Sequence, residues 1–281
     1  MSTISEIRPS PIAGTWYSGD AARLRREVQR YLDDARLPAL EGEVLAVIAP
    51  HAGHRYSGRT AGHAFAAVRG QAPELVIVVS PMHAPYPGSV LTTAHRAYAT
   101  PLGPVWVDEP ARAELEEALS DLEIDLTHVA YDTEHSLEIE IPFLQVALTG
   151  DFRLLPVMLR SQSPRVAQLT GQALARVAGK RRSLMVASTD LSHFYPAEVA
   201  RQLDAEMLRR FESFTPEALF EAERQGKGFA CGVAAVAAVL WACRDLGGKR
   251  VIILHYSHSG EETGDDSSVV GYGAAAVLKV N

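Results

Sequence analysis

Histidines recur at the ends of the strands that the sequence predicts. In an open α/β sheet, ligands gather just beyond the carboxyl ends of the strands, so these positions are where chemistry is expected. Such histidines occur in four segments, at His51 and His54 after 44–49, His83 after 75–80, His193 after 183–188, and His255 and His258 at the end of the run from Arg250. A single histidine after a strand is usually structural, but several at one sheet edge predict a shared function.

Clustered imidazoles must be neutral and hydrogen-bonded, or they must oppose one another's charge. Metal coordination resolves that conflict, and imidazole nitrogen suits zinc, copper, iron and nickel. A ligating histidine normally donates its second ring N–H to a carboxylate or a carbonyl. Asp190 and Glu138 are available for that role.

Residues 132–140 have the pattern of a helix start. Acidic residues in a first turn suit the helix dipole, which explains Glu134. The same dipole disfavours a charged His135, so we expect His135 to be neutral and to act as a proton donor or hydrogen-bonding group. Glu138 follows three residues later on about the same face.

Two cysteines occur, Cys231 and Cys243. On one helix they would be separated by about 18 Å, too far for a disulfide, so both are predicted to be reduced thiols. Cys231 begins an Ala/Val-rich helical pattern, where a thiol ionises more easily and can bind metal or act as a nucleophile. The alternative for Cys231, and the interpretation that fits Cys243, is a small buried apolar residue.

Strand and helix patterns alternate along the chain, which indicates an α/β fold with a largely parallel or mixed central sheet and helices on both faces. The predicted strands are 44–49, 75–80, 152–158, 183–188, 250–256 and 269–278. The predicted helices are one capped by Asp20 and those at 58–68, 110–119, 134–148, 163–177, 196–211, 216–225 and 231–244. Residues 88–106 suggest a hairpin or an edge addition. No linker or repeat divides the chain, so 1–281 is predicted to be a single domain.

The composition and the absence of certain motifs argue against several classes of function. The 281 residues are 47% hydrophobic, and the formal net charge of −7 argues against a nucleic-acid-binding surface. Neither a signal peptide nor an apolar stretch long enough for a membrane span is evident, so a cytoplasmic protein is expected. The sequence contains no Walker A loop, no G-x-S-x-G elbow and no C-x-x-C pair.

Taken in order, these motifs resemble the Memo family, in particular the prokaryotic proteins called AmmeMemoRadiSam system protein B. The resemblance runs nearly end to end through segments that begin at Arg8, Pro50, Tyr56, Glu134, Ser188, Tyr256 and Gly271. It implies a fold like that of the class III non-haem iron extradiol dioxygenases. It also implies AMMECR-type and radical SAM proteins as partners.

Carried over motif by motif, the resemblance assigns His51, His83 and Cys231 as ligands of one metal ion. Iron(II) or copper is expected, with zinc as a third candidate. His135 and His193 would act as acid or base, and Asp190 would orient one of them. The surrounding residues are expected to support or line the site: His54, Tyr56, Glu138, His255 and Tyr256.

Three positions depart from the family pattern. Ser80 stands in place of the usual glycine before the second histidine, His54 in place of a tyrosine, and Glu140 in place of a glutamine, which adds negative charge. Two functions remain open. One is a metal-dependent oxidoreductase of dioxygenase type, and the other is a non-enzymatic protein whose cleft holds a metal, a peptide or a partner.

Overall fold

A nine-stranded mixed sheet organises the part of the chain that the computed structural model describes, residues 4–280. Residues 1–3 and 281 of the predicted domain lie outside the described residues. The strands of this sheet are β2 (Glu43–Ala49), β3 (Leu75–Pro81), β4 (Val90–Thr93), β7 (Leu126–Val129), β8 (Arg153–Leu159), β9 (Ser183–Ser188), β10 (His193–Tyr195), β11 (Arg250–His258) and β12 (Val269–Lys279). Strands β2, β9, β3 and β8 are adjacent and parallel, so their carboxyl ends share one edge.

The central strands are apolar on both faces, because helices cover both sides of the sheet. In β3, Leu75, Ile77 and Val79 point into one hydrophobic cluster, while Val76 and Val78 point into the other. Successive side chains of a strand alternate between its faces, so a strand buried on both sides must be apolar throughout. The continuous apolar runs in the sequence have this cause.

The helices divide between the two faces of the sheet. One face carries α3 (Glu109–Ser120), α5 (Pro164–Ala178), α6 (Ala197–Glu212), α7 (Pro216–Arg224) and α8 (Val233–Asp245). The other carries α1 (Ala21–Asp34), α2 (His54–Ala66) and α4 (Ile141–Ala147). Helix α8 is buried all round from Val233 to Cys243, as expected for a helix without a polar face. A short helix, α9 (Gly260–Thr263), follows β11.

The predicted α/β class with a mixed sheet is confirmed. The stretch 88–106 differs from the expected hairpin or edge addition, because it contributes to two sheets. Strand β4 joins the large sheet between β8 and β7, whereas β5 (Ala97–Tyr98) and β6 (Val105–Trp106) form a small sheet with β1 (Ile7–Arg8). Strands β1, β7 and β10 are short, and the sequence pattern did not predict them.

Two helices begin later than predicted. The predicted helix 134–148 starts as a 3-10 turn at Glu138–Glu140 and becomes α-helical at α4, because the Glu134 carboxylate binds the backbone N–H groups of His135 and Ser136 in a non-helical turn. Helix α8 begins at Val233 rather than at Cys231. Within the described residues, none of the helices has the length and apolar character required to cross a membrane.

Candidate metal site

Two histidines and one cysteine from distant parts of the chain lie together at the carboxyl edge of the parallel strands. His51 follows β2, His83 follows β3, and Cys231 lies two residues before α8. One imidazole nitrogen from each histidine and the thiol sulfur lie within 4.8 Å of one another. The closest pair is Nε2 of His51 and Sγ of Cys231, 3.1 Å apart. Imidazole and thiolate are ligands that suit zinc, copper and iron, so this set of donors fits one such ion.

His51 is buried and fixed at both its backbone and its ring. Its backbone N–H donates to Oδ1 of Asp190 at 2.8 Å, and its Nδ1 lies 2.9 Å from Oγ of Ser188. Burial, together with the neighbouring His135 and His83, lowers the pKa of His51 well below its ordinary value. A neutral ring held through Nδ1 leaves Nε2 directed at Cys231.

His83 is held by the carboxylate of Glu134. The backbone N–H of His83 donates to Oε2 at 2.6 Å, and Nδ1 lies 3.0 Å from Oε1. The hydrogen bond to Glu134 raises the pKa of His83. Although burial alone raises the pKa of Glu134, the hydrogen bonds that it receives from His83 lower it well below its usual range. The side chain that the sequence assigned to a helix first turn is therefore the ionised partner of a candidate ligand.

Cys231 does not have the readily ionised thiol that its sequence position suggested. Burial and the carboxyl of Asp190 raise the pKa of the thiol well above its ordinary value, and α8 starts too late for Cys231 to lie in its first turn. Its Sγ accepts a hydrogen bond from the backbone N–H of Asp190 at 3.2 Å. A bound cation deprotonates a coordinating thiol outright, so a metal would supply the charge that the helix does not.

A cleft of about 570 Å³ opens above these residues. Its imidazole and carboxyl groups come from His51, His83, His135, His193 and Asp190. Its walls are largely aromatic or apolar, with Trp16, Tyr56, Phe194, Val270 and Tyr272. A concave, mostly apolar site with a few converging polar groups is the usual form of a small-molecule binding site.

The residues predicted to transfer protons lie in this cleft. The ring of His135 packs at a tilt against Trp16, with ring centres 4.2 Å apart, and stacks on His83 at 4.9 Å. Burial lowers the pKa of His135 to about 4. Nδ1 of His193 donates to the carbonyl of Leu191 at 2.8 Å, and burial lowers the pKa of this histidine. Burial raises the pKa of Asp190 to about 7. Asp190 binds the backbone of His51 rather than the ring of either proton-transfer histidine.

Residues 8–276 match the sequence model of a family described as Memo-like protein. The chain belongs to the Memo family. A protein of Nitrosopumilus maritimus named as a MEMO1 family protein is 35% identical over 272 residues, which cover 95% of this chain and 98% of the relative. A relative from Methanosarcina mazei with the same name is 31% identical over 274 residues, covering 97% and 99%. Among solved structures, the uncharacterized protein JW3007 of Escherichia coli K12 has a TM-score of 0.46 and 14% identity, covering 82% of this chain and 99% of that one.

Two residues that the Memo resemblance assigned to the surroundings of the site support the fold instead. The Glu138 carboxylate is buried against Arg8, with Nη1 and Oε2 2.5 Å apart, and accepts hydrogen bonds from Ser10 and Tyr17. It therefore orients no histidine. His54 packs against Phe143 with ring centres 4.8 Å apart, and its Nε2 donates to the carbonyl of Ile139. It joins α2 to α4 outside the cleft.

His255 and Tyr256 also lie away from the cleft, because β11 continues to His258 and both residues are within the strand. His255 stacks on His63 of α2 with ring centres 4.0 Å apart, and Tyr256 donates to Asp204 at 2.8 Å. The first residue beyond this strand, Ser259, lines the cleft, so the rule about strand ends holds once the true end is known. Tyr56, in contrast, lines the cleft.

Several residues that shape the site were not predicted from the sequence. Trp16 and Phe194 are exposed aromatic side chains in the cleft wall, and Thr263 and Ser268 line it from the segment between β11 and β12. Phe194 directly follows His193, so an aromatic residue next to a candidate acid or base is the signal that could have found it. The supporting roles of Glu134 and Ser188 depend on tertiary contacts and have no local signature.

Proposed function

We propose that this Memo-family protein binds one redox-active ion, iron or copper, through His51, His83 and Cys231, and uses it for dioxygenase-type oxidoreductase chemistry. The observation that supports the proposal is the approach of the three donor atoms to within 4.8 Å of one another, with both histidines lining the cleft. Zinc is the third candidate, because it accepts the same donors. We also propose a cytoplasmic location, where Cys231 would stay reduced.

The protein's own residues would fix the ligands and shape the space beside them. Ser188 and Glu134 orient the two imidazoles through their Nδ1 atoms. Three protein donors leave coordination positions open, and a bound iron or copper ion would supply electron transfer and Lewis acidity there. The aromatic walls would exclude water and bind a flat, largely apolar molecule.

Proton transfer would fall to His193 and His135. Their lowered pKa values keep both rings neutral near pH 7, so each has a nitrogen lone pair. Nδ1 of His193 donates to Leu191, which leaves Nε2 as the atom able to accept a proton from a hydroxyl group of the bound molecule. Asp190, with a pKa of about 7, could then hold or release a proton near neutral pH.

A non-enzymatic role is the second candidate, and the mouth of the cleft favours it. Trp16, Tyr56 and Phe194 are 38%, 37% and 74% exposed, which suits contact with a peptide or a partner protein. In this case the metal would shape the cleft without turnover. AMMECR-type and radical SAM proteins stay the predicted partners.

Metal analysis of anaerobically purified protein, followed by oxygen uptake with catechols, tests these functions. We expect about one iron or copper per chain and its loss in His51→Ala, since a ligand is removed. His255→Ala is the matched control. It removes an imidazole outside the cleft and should retain the metal. Equal metal content in His51→Ala, His83→Ala, Cys231→Ala and the control would exclude the site.

Oxygen uptake separates the two candidates. Stoichiometric iron together with catechol turnover supports the enzyme. Tightly bound copper or zinc without oxygen uptake supports the binding protein. In the enzyme, His193→Gln should retain the metal and lose turnover, because the amide preserves the shape of the side chain and cannot act as a base.

A further inference from the structure

A buried chain of polar groups leads away from His51 to a carboxyl group that the proposed chemistry does not use. Oγ of Ser188 lies 2.9 Å from Nδ1 of His51, 2.7 Å from the carbonyl oxygen of Ser136 and 2.6 Å from Oε1 of Glu140. Ser188, Ser136 and Glu140 are all fully buried. All three distances are those of hydrogen bonds, and one hydroxyl group makes every one of them.

The number of available hydrogens decides which group donates to which. A serine hydroxyl has one hydrogen and two lone pairs, and a backbone carbonyl only accepts. Ser188 must therefore donate to Ser136, and its lone pairs must receive hydrogens from His51 and Glu140. An ionised Glu140 has no hydrogen to give. One of the two short contacts of the Ser188 oxygen, with Ser136 or with Glu140, would then contain no hydrogen and would be repulsive.

The tautomer of His51 supports this assignment. Its Nε2 faces Sγ of Cys231 at 3.1 Å. That sulfur is a thiol in the metal-free chain and would be a fellow ligand in the metal-bound protein. Nε2 needs its lone pair in both cases, so the ring proton resides on Nδ1 and points to Ser188.

The second carboxyl oxygen of Glu140 gives independent support. Oε2 is buried and has no hydrogen-bond partner among residues 4–280. An anionic oxygen without a partner in such a place is far more costly than the carbonyl oxygen of an uncharged acid. Asp190 is the titratable group whose charge acts on Glu140, and it also disfavours a second negative charge.

We infer that Glu140 is a neutral carboxylic acid that donates a hydrogen bond to Ser188, and so positions Ser188 to accept the Nδ1–H of His51. The side-chain hydrogen bond of Glu140 is to Ser188 and not to any of the three candidate ligands, so Glu140 is a positioning residue. The role of Glu140 in metal binding rests on the proposed function, whereas the inference that Glu140 is protonated does not. The negative charge that the sequence suggested at this position is therefore absent from the folded protein.

Infrared difference spectroscopy of the metal-free, full-length protein tests the protonation directly. The wild-type minus Glu140→Gln spectrum at neutral pH should contain the carbonyl stretch of a protonated carboxylic acid, which a carboxylate lacks. The thermal midpoint of Glu140→Gln should equal or exceed that of wild type, because the amide N–H replaces the acid O–H as donor. Glu134→Gln is the matched control and should lower the midpoint, because Glu134 is an ionised acceptor of N–H groups.

Absence of the carbonyl band, or a fall in the midpoint of Glu140→Gln as large as that of Glu134→Gln, would overturn the inference. Neither measurement needs a bound metal, so failure here is distinct from failure of the proposed function. Fe(II) titration then tests the positioning role. Glu140→Leu, which removes the donor at similar volume, should bind Fe(II) about tenfold more weakly than Glu140→Gln. Equal affinities would show that the donor positions nothing.

Discussion

His51 and His83 approach the same point, yet the protein supports them through opposite chemistry. His83 is bound by an ionised carboxylate that also accepts backbone N–H groups of residues 83, 135 and 136. His51 is bound by a hydroxyl group, behind which we infer a neutral acid. The two carboxyl groups behind these histidines belong to Glu134 and Glu140, which are only six positions apart in the sequence.

Hydrogen-bond donors explain why two glutamates so close in sequence differ in charge. Glu134 lies in a non-helical turn where several N–H groups converge on it, and such donors stabilise a carboxylate. Glu140 lies at the end of a 3-10 turn, where its side chain meets one hydroxyl and no cation among the described residues. The anion beside His83 makes that imidazole more basic, whereas His51 lies beside neutral groups. A metal ion bound to both would therefore have two unlike nitrogen ligands.

The largest effect is expected when the ionised glutamate, Glu134, is replaced by a neutral residue. Glu134→Gln should lower the free energy of unfolding by about 3 kcal/mol, because the amide NH₂ would face N–H donors in a buried site. Denaturant unfolding of the metal-free protein measures this change. A loss below about 0.5 kcal/mol, the usual range for an unremarkable surface substitution, would contradict an ionised Glu134.

The next effect is the part of the pH dependence of stability that Glu140 contributes, which is present in the wild type and absent from Glu140→Gln. The ordinary pKa of this carboxyl is 4.5, and burial raises it well above that value in the folded protein. The folded state then holds a proton that the unfolded state releases. The contribution to stability is complete below pH 4.5 and is lost as the pH rises towards the folded pKa.

Glutamine cannot titrate, so the advantage of Glu140→Gln over wild type should grow with pH. From about pH 5 to about pH 7 we expect the difference in unfolding free energy to widen, by at most about 1.4 kcal/mol for each pH unit. Denaturant unfolding of both proteins at several pH values measures it. A difference that stays constant, or narrows as the pH rises, would contradict a protonated Glu140.

The strand ends that position the two histidines could be predicted from the sequence. The ends of β2, β3 and β9 could be predicted, because continuous apolar runs identify strands that are buried on both faces. Parallel strands then bring the residues that follow them to one edge. This is why His51 and His83 could be placed together without coordinates.

The supporting contacts could not be predicted, because they depend on where side chains meet in space. Glu134 has the sequence pattern of a helix first turn, and only the contact with His83 shows its other use. The end of β11 was placed too early, because its pairing with β12 carries an irregular strand through His255 to His258. The state of Glu140 follows from a count of hydrogens around Ser188, which no local pattern contains.

The smallest effect distinguishes the two supports most finely. Ser188→Ala removes the hydroxyl between His51 and Glu140 and should cost about 1.5 kcal/mol, because the groups left behind are uncharged. If Glu140 were ionised, the same change would strip an anion of its side-chain donor and cost about 3–5 kcal/mol. Ser192→Ala is the matched control, because it removes an equally buried serine hydroxyl at a distance from the groups around His51. The neighbouring Asp204 carboxyl keeps its hydrogen bonds from the backbone N–H of Ser192 and from Tyr256, so this loss should cost less than that of Ser188→Ala. Chemical unfolding of both variants at neutral pH measures the two costs. A cost of about 3–5 kcal/mol for Ser188→Ala would show that Glu140 is ionised, and the contrast between the supports of His51 and His83 would then be wrong.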